Sequence, residues 1–158
     1  MLLQNWPYVG RTRGDWTPEK WGVPFAVVCD GEVVGTQGVT GDHYGVTRTV
    51  TTGSWIGQRF QGRGIGKEMR AAVLHFAFAG LGATVAYSGA WHDNATSLAV
   101  SRSLGYQANG DRILARNDKP TRQIGLKLTR SRWEARRRDD VVIEHLEPCL
   151  ALFGLADG

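Results

Sequence analysis

Gln61-Gly62-Arg63-Gly64-Ile65-Gly66-Lys67 divides a Val- and Thr-rich run from a helical stripe. Upstream, Gly45–Ile56 ends in Ser54-Trp55-Ile56 and reads as one extended strand. Downstream, Ile65, Met69, Ala72, Val73 and Phe76 recur at spacings of three and four, which predicts a helix from Gly64 to about Phe78. Gly80 and Gly82 stop it. The stretch is therefore a strand, a loop and a helix whose first turn carries little side-chain bulk. Its glycines let backbone come close to a ligand. The first amides of a helix lack internal partners, and with the helix dipole they favour a phosphate group. Arg63 and Lys67, four apart, add positive charge beside them. Chemically the turn asks for a pyrophosphate; the plainer reading is glycine serving only a tight turn.

Two commoner phosphate loops fail on spacing. A nucleoside-triphosphate loop needs Gly where Gln61 stands, five before Gly66-Lys67, and Ser or Thr where Glu68 stands. A dinucleotide fingerprint needs two residues between its last glycines, and only Ile65 separates Gly64 from Gly66. An early hairpin also conflicts with a parallel doubly wound sheet. That hairpin is predicted by Phe25–Cys29 and Val33–Val39 around Asp30-Gly31-Glu32. Beyond the central helix, Ala83–Tyr87 reads as a short strand. Asp93 or Asn94 caps a helix running to Ser103 and ended by Gly105. Residues 112–116 and 122–128 pair around an Asn117–Thr121 turn. Ser131-Arg132-Trp133-Glu134 fits a capping box that opens a short C-terminal helix. An apolar tail after Pro148 packs back on the core. Residues 1–23, broken by Pro7, Gly10, Gly14, Pro18 and Gly22, read as irregular.

The expected fold class is α/β in the mixed α+β sense: a mostly antiparallel sheet with flanking helices. At 158 residues the chain suits one domain, 1–158, with a core over 24–130 and a C-terminal extension over 131–158. No apolar run approaches the ~20 residues of a membrane span, and the first residues do not have the order of a secretory signal. Cys29 and Cys149 give neither a disulfide framework nor metal spacing. The cytoplasm is the expected compartment, with no membrane partner and no metal. Net charge is +4, but residues 112–138 hold ten of the nineteen Lys and Arg against Asp118 and Glu134. Such a stretch can serve nucleic acid or simply a solvated face. Only Trp133 offers a base-stacking ring within it, which argues against nucleic acid.

With these elements in place, the sequence resembles the GCN5-related N-acetyltransferase superfamily, whose signature is Gln or Arg, two residues, Gly, one residue, then Gly or Ala. Gln61, Gly64 and Gly66 match it, and Asn94, Ser97 and Leu104-Gly105-Tyr106 fall at the family's downstream spacing. The likeness spans roughly 24–130 and looks closest to the branch of ribosomal-protein N-terminal acetyltransferases. It implies an acyl-CoA N-acyltransferase fold with acetyl-CoA as co-substrate and an amine acceptor, a protein N-terminus or a small molecule. In that family the strands before the signature and after its helix, here Thr49–Ile56 and Ala83–Ser88, splay apart around pantetheine. Backbone of Trp55, Ile56 and Gly57 would pair with pantetheine, while Gln61, Gly62, Arg63, Gly64, Ile65, Gly66 and Lys67 would surround the pyrophosphate. Asn94 and Ser97 would meet the pantetheine arm; for Asn94 a plain helix cap is the other reading. Many members place a Tyr seven residues after the Asn to protonate the leaving thiolate. Ser101 stands there, as the branch implies, and an ordinary exposed helix Ser is the alternative. Asp42, His43, His92 and Asp93 are candidate bases for the amine.

Family domains open with a strand and two helices, whereas only 24 residues precede Phe25 here, and Met1–Tyr8 reads as the tail of the second helix. The first strand and helix are thus expected to be missing, leaving a truncated form, completion by a partner chain, or an open acceptor side. Direct transfer of acetyl to an amine is the leading function. A non-catalytic acetyl-CoA-binding module or an impaired transferase is the second, and the oligomeric state stays open, a homodimer included.

Overall fold

The computed structural model describes residues 15–155. Expectations for Met1–Tyr8 and for a missing first strand and helix lie outside them. Six strands form one sheet in the order β1-β2-β3-β4-β6-β5. They are β1 (Lys20–Cys29), β2 (Glu32–Asp42), β3 (Thr49–Ile56), β4 (Val85–Trp91), β5 (Gln107–Arg116) and β6 (Lys119–Thr129). Every neighbouring pair is antiparallel except β3 and β4. Both hairpins turn on residues that tolerate positive φ: Asp30 at 51° with Gly31 at 78°, and Asn117 at 51° with Asp118 at 57°. That backbone twist matches the twist of paired strands.

The first strand begins at Lys20, inside the stretch expected to be irregular, because Trp21 is buried and pairs opposite Gly41. The run expected as one strand over Gly45–Ile56 is also broken. Tyr44–Thr47 makes a single helical turn, α1, bracketed by His43 and Arg48 in left-handed backbone. Tertiary packing imposes it: Tyr44 is fully buried, donates its hydroxyl to Leu81 O at 2.8 Å, and meets Trp21 edge-on.

Helix α2 (Ile65–His75) runs into a wider turn at Phe76–Gly80 and closes through Gly82, with Ala83 N–H bonded to Ala77 O. Its stripe is rotated from the expected one. Ala72 is exposed, and Arg70 joins Met69, Val73 and Leu74 on the buried side. Helix α3 (Ala95–Ser103) carries Asn94 as N-cap, its Oδ1 accepting from Ser97 N–H at 3.0 Å.

The capping box at Ser131 does not open a C-terminal helix. Helix α4 (Arg130–Glu134) ends there, and Thr129 precedes it without a side-chain cap. Trp133 holds this turn by stacking on Phe78, centroids 5.1 Å apart. The tail returns as a short 3-10 helix, Glu147–Phe153, whose Phe153 sits edge-on against Trp21.

Candidate functional site

Strands β3 and β4 pair only through Thr49↔Val85, Val50↔Ala86 and Thr51↔Tyr87. Ser88 Oγ then donates to Thr52 O at 3.2 Å, the last link between them. Beyond it β3 stays with β2 as far as Ile56↔Gly35, while β4 stays with β6 as far as Trp91↔Gln123. The sheet therefore forks, and the far half of β3 presents a backbone edge with no strand against it.

Parity decides which residues face that fork. In an antiparallel pair, successive residues direct their backbone groups to opposite sides. Gly57 N–H bonds Val34 O, toward β2, whereas Thr52 O meets Ser88, toward β4. Ser54 and Ile56 share the parity of Thr52, so their N–H and C=O groups face the fork. Trp55 shares that of Gly57 and faces β2. Among the expected Trp55, Ile56 and Gly57, Ile56 alone has its backbone on the open side. Ser54 was not singled out from sequence, because parity depends on the pairing register.

At the mouth of the fork, Gly62 and Gly64 hold φ of 75° and 78°. Gly64 is the N-cap of α2 and offers no side chain to the first amides of the helix. Lys67 and Glu68 N–H both reach back to Gly64 O, which leaves the amides of Ile65 and Gly66 aimed outward. Gly66 has ordinary φ, and a Cβ there would meet nothing within 4 Å. The fold makes no demand for glycine at Gly66, so the bare backbone suits the close approach of an external group. Arg63 and Lys67 are exposed beside it, and Glu68, the acid of that turn, is ion-paired with Arg138. Gln61 reaches back to Ile56 O at 3.4 Å and ties the loop to the end of β3.

Under the fork lies a polar cluster. Ser101 is fully buried, not an exposed helix serine. Its hydroxyl donates to Ser97 O at 2.9 Å and accepts from Arg70 Nη2 at 2.6 Å. Arg70 Nη1 donates to Ser97 O at 3.2 Å, and its guanidinium lies 5.7 Å from the centre of the Tyr106 ring. Tyr106, buried like the arginine, shares a 3.2 Å hydrogen bond with Thr52 Oγ1 on the forked strand. Burial pushes the Tyr106 phenol up and the Arg70 guanidinium down from their ordinary values.

The remaining candidates are dispersed. Asp42 and His43 contact each other at 2.7 Å beside the paired end of β3 and β4. Asp93, after β4, is held by both oxygens to Arg116 Nη1 at 2.8 and 3.0 Å, which keeps its carboxyl below the usual range. His92 accompanies the backbone of Arg122. No group of three or more His, Cys, Asp or Glu among the described residues is placed to hold a metal. No helix there is long and apolar enough to cross a membrane.

A separate cavity of about 550 Å³ lies under β1 and β2 against α2 and residues 141–149. Its walls are mainly apolar, among them Phe25, Met69, Val73 and Phe76. The fork instead combines an open backbone edge inside the sheet with a helix start at its mouth, a setting that suits a phosphate-bearing group.

Residues 3–107 match the family model described as an acetyltransferase (GNAT) domain. Solved structures share the fold. Mycobacterium smegmatis RimJ in complex with CoA-disulfide superposes with a TM-score of 0.70 at 21% identity, over 85% of this chain and 69% of that one. A putative ribosomal-protein-serine acetyltransferase from Vibrio cholerae gives 0.60 at 24%, over 77% and 71%. Mutant forms of the spermidine/spermine N-acetyltransferase SpeG from Vibrio cholerae give 0.67 at 15%, over 74% and 72%.

Proposed function

This chain belongs to the GNAT acetyltransferase family, which uses acetyl-CoA as co-substrate, and on that premise we propose that it transfers acetyl directly to a primary amine, with a protein N-terminus as the favoured acceptor. The forked sheet with the bare turn at Gly64–Gly66 carries the reading. The open N–H and C=O groups of Ser54 and the N–H of Ile56 would take the pantetheine arm as an added strand edge. The amides of Ile65 and Gly66, with Gln61, Gly62, Arg63 and Lys67 around them, would hold the pyrophosphate. Asn94 and Ser97 at the start of α3 would border the arm on the β4 side.

Three things are needed at the thioester: a neutral amine, a donor to the developing oxyanion, and a proton for the thiolate. A backbone N–H on the forked half of β3 supplies the second without any particular side chain. Ser101 would serve the third by hydrogen-bonding the departing sulfur, the proton itself arriving through solvent; a cysteine-type thiol titrates near ~8.5, so this demand is modest. The acceptor class follows from acidity and charge. An α-amino group titrates near ~8 and a Lys-type amine near ~10.4, so the former needs the weaker base. Glu32, Glu68 and Asp93, carboxylates on segments around the mouth of the fork, are each ion-paired to arginine. Paired in this way they attract a polycation such as a polyamine weakly.

The test is CoA release from acetyl-CoA with peptides bearing free N-termini and with polyamines, comparing wild type, Gly64→Glu and Ser101→Ala. Peptide turnover abolished by Gly64→Glu and cut about 10- to 100-fold by Ser101→Ala is expected. Turnover untouched by Gly64→Glu would sink the cradle at Gly64–Gly66. CoA binding without turnover of any amine would instead favour a non-catalytic acetyl-CoA-binding module.

A further inference from the structure

Arg70 is the unusual group near the fork. It lies in the second turn of α2, 8% exposed, and no carboxylate pairs with it among the described residues. Buried charges are ordinarily paired, because removing them from water is costly. Here the guanidinium spends its hydrogen bonds on neutral oxygens, Ser97 O and Ser101 Oγ. Through Tyr106 the cluster reaches Thr52, the residue at which β3 and β4 part. A standing cation at the closed end of an open slot suits an anion that forms there transiently.

We propose that Arg70 is a positioning residue for the leaving thiol: by donating to Ser101 Oγ it makes the serine hydroxyl a stronger donor and holds it toward the CoA sulfur, favouring the thiolate. This rests on the acetyl-donor reading above. When the amine nitrogen bonds to the acetyl carbon and the C–S bond breaks, the electron pair goes to sulfur. The serine O–H, turned from Ser97 O by rotation about the Cβ–Oγ bond while Oγ stays on Arg70, hydrogen-bonds that sulfur. The proton that finally neutralises the sulfur comes from the nitrogen of the new amide, by way of solvent. Arg70 stays protonated throughout, so atoms and charge balance. The alternative is a staple between α2 and α3 with no influence on sulfur chemistry.

Thiolate absorbance of CoA bound to the full chain separates the two without knowledge of the acceptor. In wild type the bound thiol is expected to titrate about one pH unit below free CoA measured alongside it. Arg70→Gln and Ser101→Ala should each return it to that value, the double variant should add nothing, and Arg70→Lys should keep part of the shift. A bound thiol that titrates normally in wild type, or equally low in Arg70→Gln and Ser101→Ala, overturns the proposal. Should Arg70→Gln not fold, Ser101→Ala decides: an unchanged low value overturns the proposal, and a raised one supports it. CoA that does not bind wild type at all would remove the acetyl-donor reading itself, a distinguishable failure.

Discussion

At Gly64 the backbone holds φ of +78°, whereas Gly66 sits in ordinary helical backbone with open space where a side chain would project. The two glycines thus answer to different demands, one internal and one external. Gly64→Ala is expected to cost about 1–2 kcal/mol in folding, because an L side chain is strained in that region. Gly66→Ala should leave stability unchanged or raise it by up to about 1 kcal/mol, since alanine is the better helix former. A bulkier Gly66→Val should weaken CoA binding several-fold, whereas Gly66→Ala, a residue the signature accepts there, should keep it. Thermal melts with and without CoA check both, and a Gly66→Val protein that binds CoA like wild type would remove the external reason for a small residue at that position. Ser101 belongs to the same scale. Its position seven residues after Asn94 was legible in the sequence; its burial against Arg70 was not, because Arg70 lies on another helix.

The hairpin formed by β5 and β6 and the segment after it explain the basic stretch at the scale of elements. Arg116 pairs with Asp93, Arg122 with Asp111, Arg137 with Asp139, and Arg138 with Glu68 and Asp140. Arg130 donates to Phe78 O at 2.6 Å and Ala83 O at 3.1 Å, and Arg132 to Gly105 O at 2.8 Å. These side chains tie the hairpin and α4 to the exits of α2 and α3, so much of the charge is engaged internally. Arg130→Leu should therefore cost about 2 kcal/mol by leaving carbonyls at the end of α2 without their charged donor. Arg122→Ala, which removes only a solvent-exposed pair at 3.5 Å, should stay within about 0.5 kcal/mol. Chemical denaturation of the two variants makes the comparison. Equal effects would argue that the basic stretch is a solvated face without structural duty.

Across the whole molecule, the core joins both ends of the described chain. Trp16 donates to Leu152 O, Trp21 to Phe153 O, and Tyr44 closes the far side through Leu81 O. Burial raises the Tyr44 phenol from 10.0 to about 12. The neutral phenol is the form the fold favours, so its contribution is full below pH 10 and is lost as pH rises through about 12. Stability should decline across that window, and Tyr44→Phe should flatten the decline by at most about 3 kcal/mol. The same variant should lose about 1 kcal/mol near neutrality for want of the hydrogen bond to Leu81 O. Denaturant titrations at neutral pH and across the alkaline window supply both numbers; a decline as steep in the variant would assign the alkaline limb elsewhere.

What the sequence determined by itself was local. The glycine spacing at Gln61–Gly66, the stop at Gly82, the turns at Asp30-Gly31 and Asn117-Asp118, and the cap at Asn94 each depend on backbone preferences acting within a few residues. Those features marked the mixed α/β order and singled out the start of α2. Only the tertiary structure decided where β3 and β4 part, why Ser54 and not Trp55 faces the gap, that Tyr44–Thr47 is helical, and that Arg70 is buried beside Ser101. Each of these is set by strand register or burial between segments far apart in the chain. A periodic pattern can say that a helix has an inner face, but its partners settle which residues lie on it.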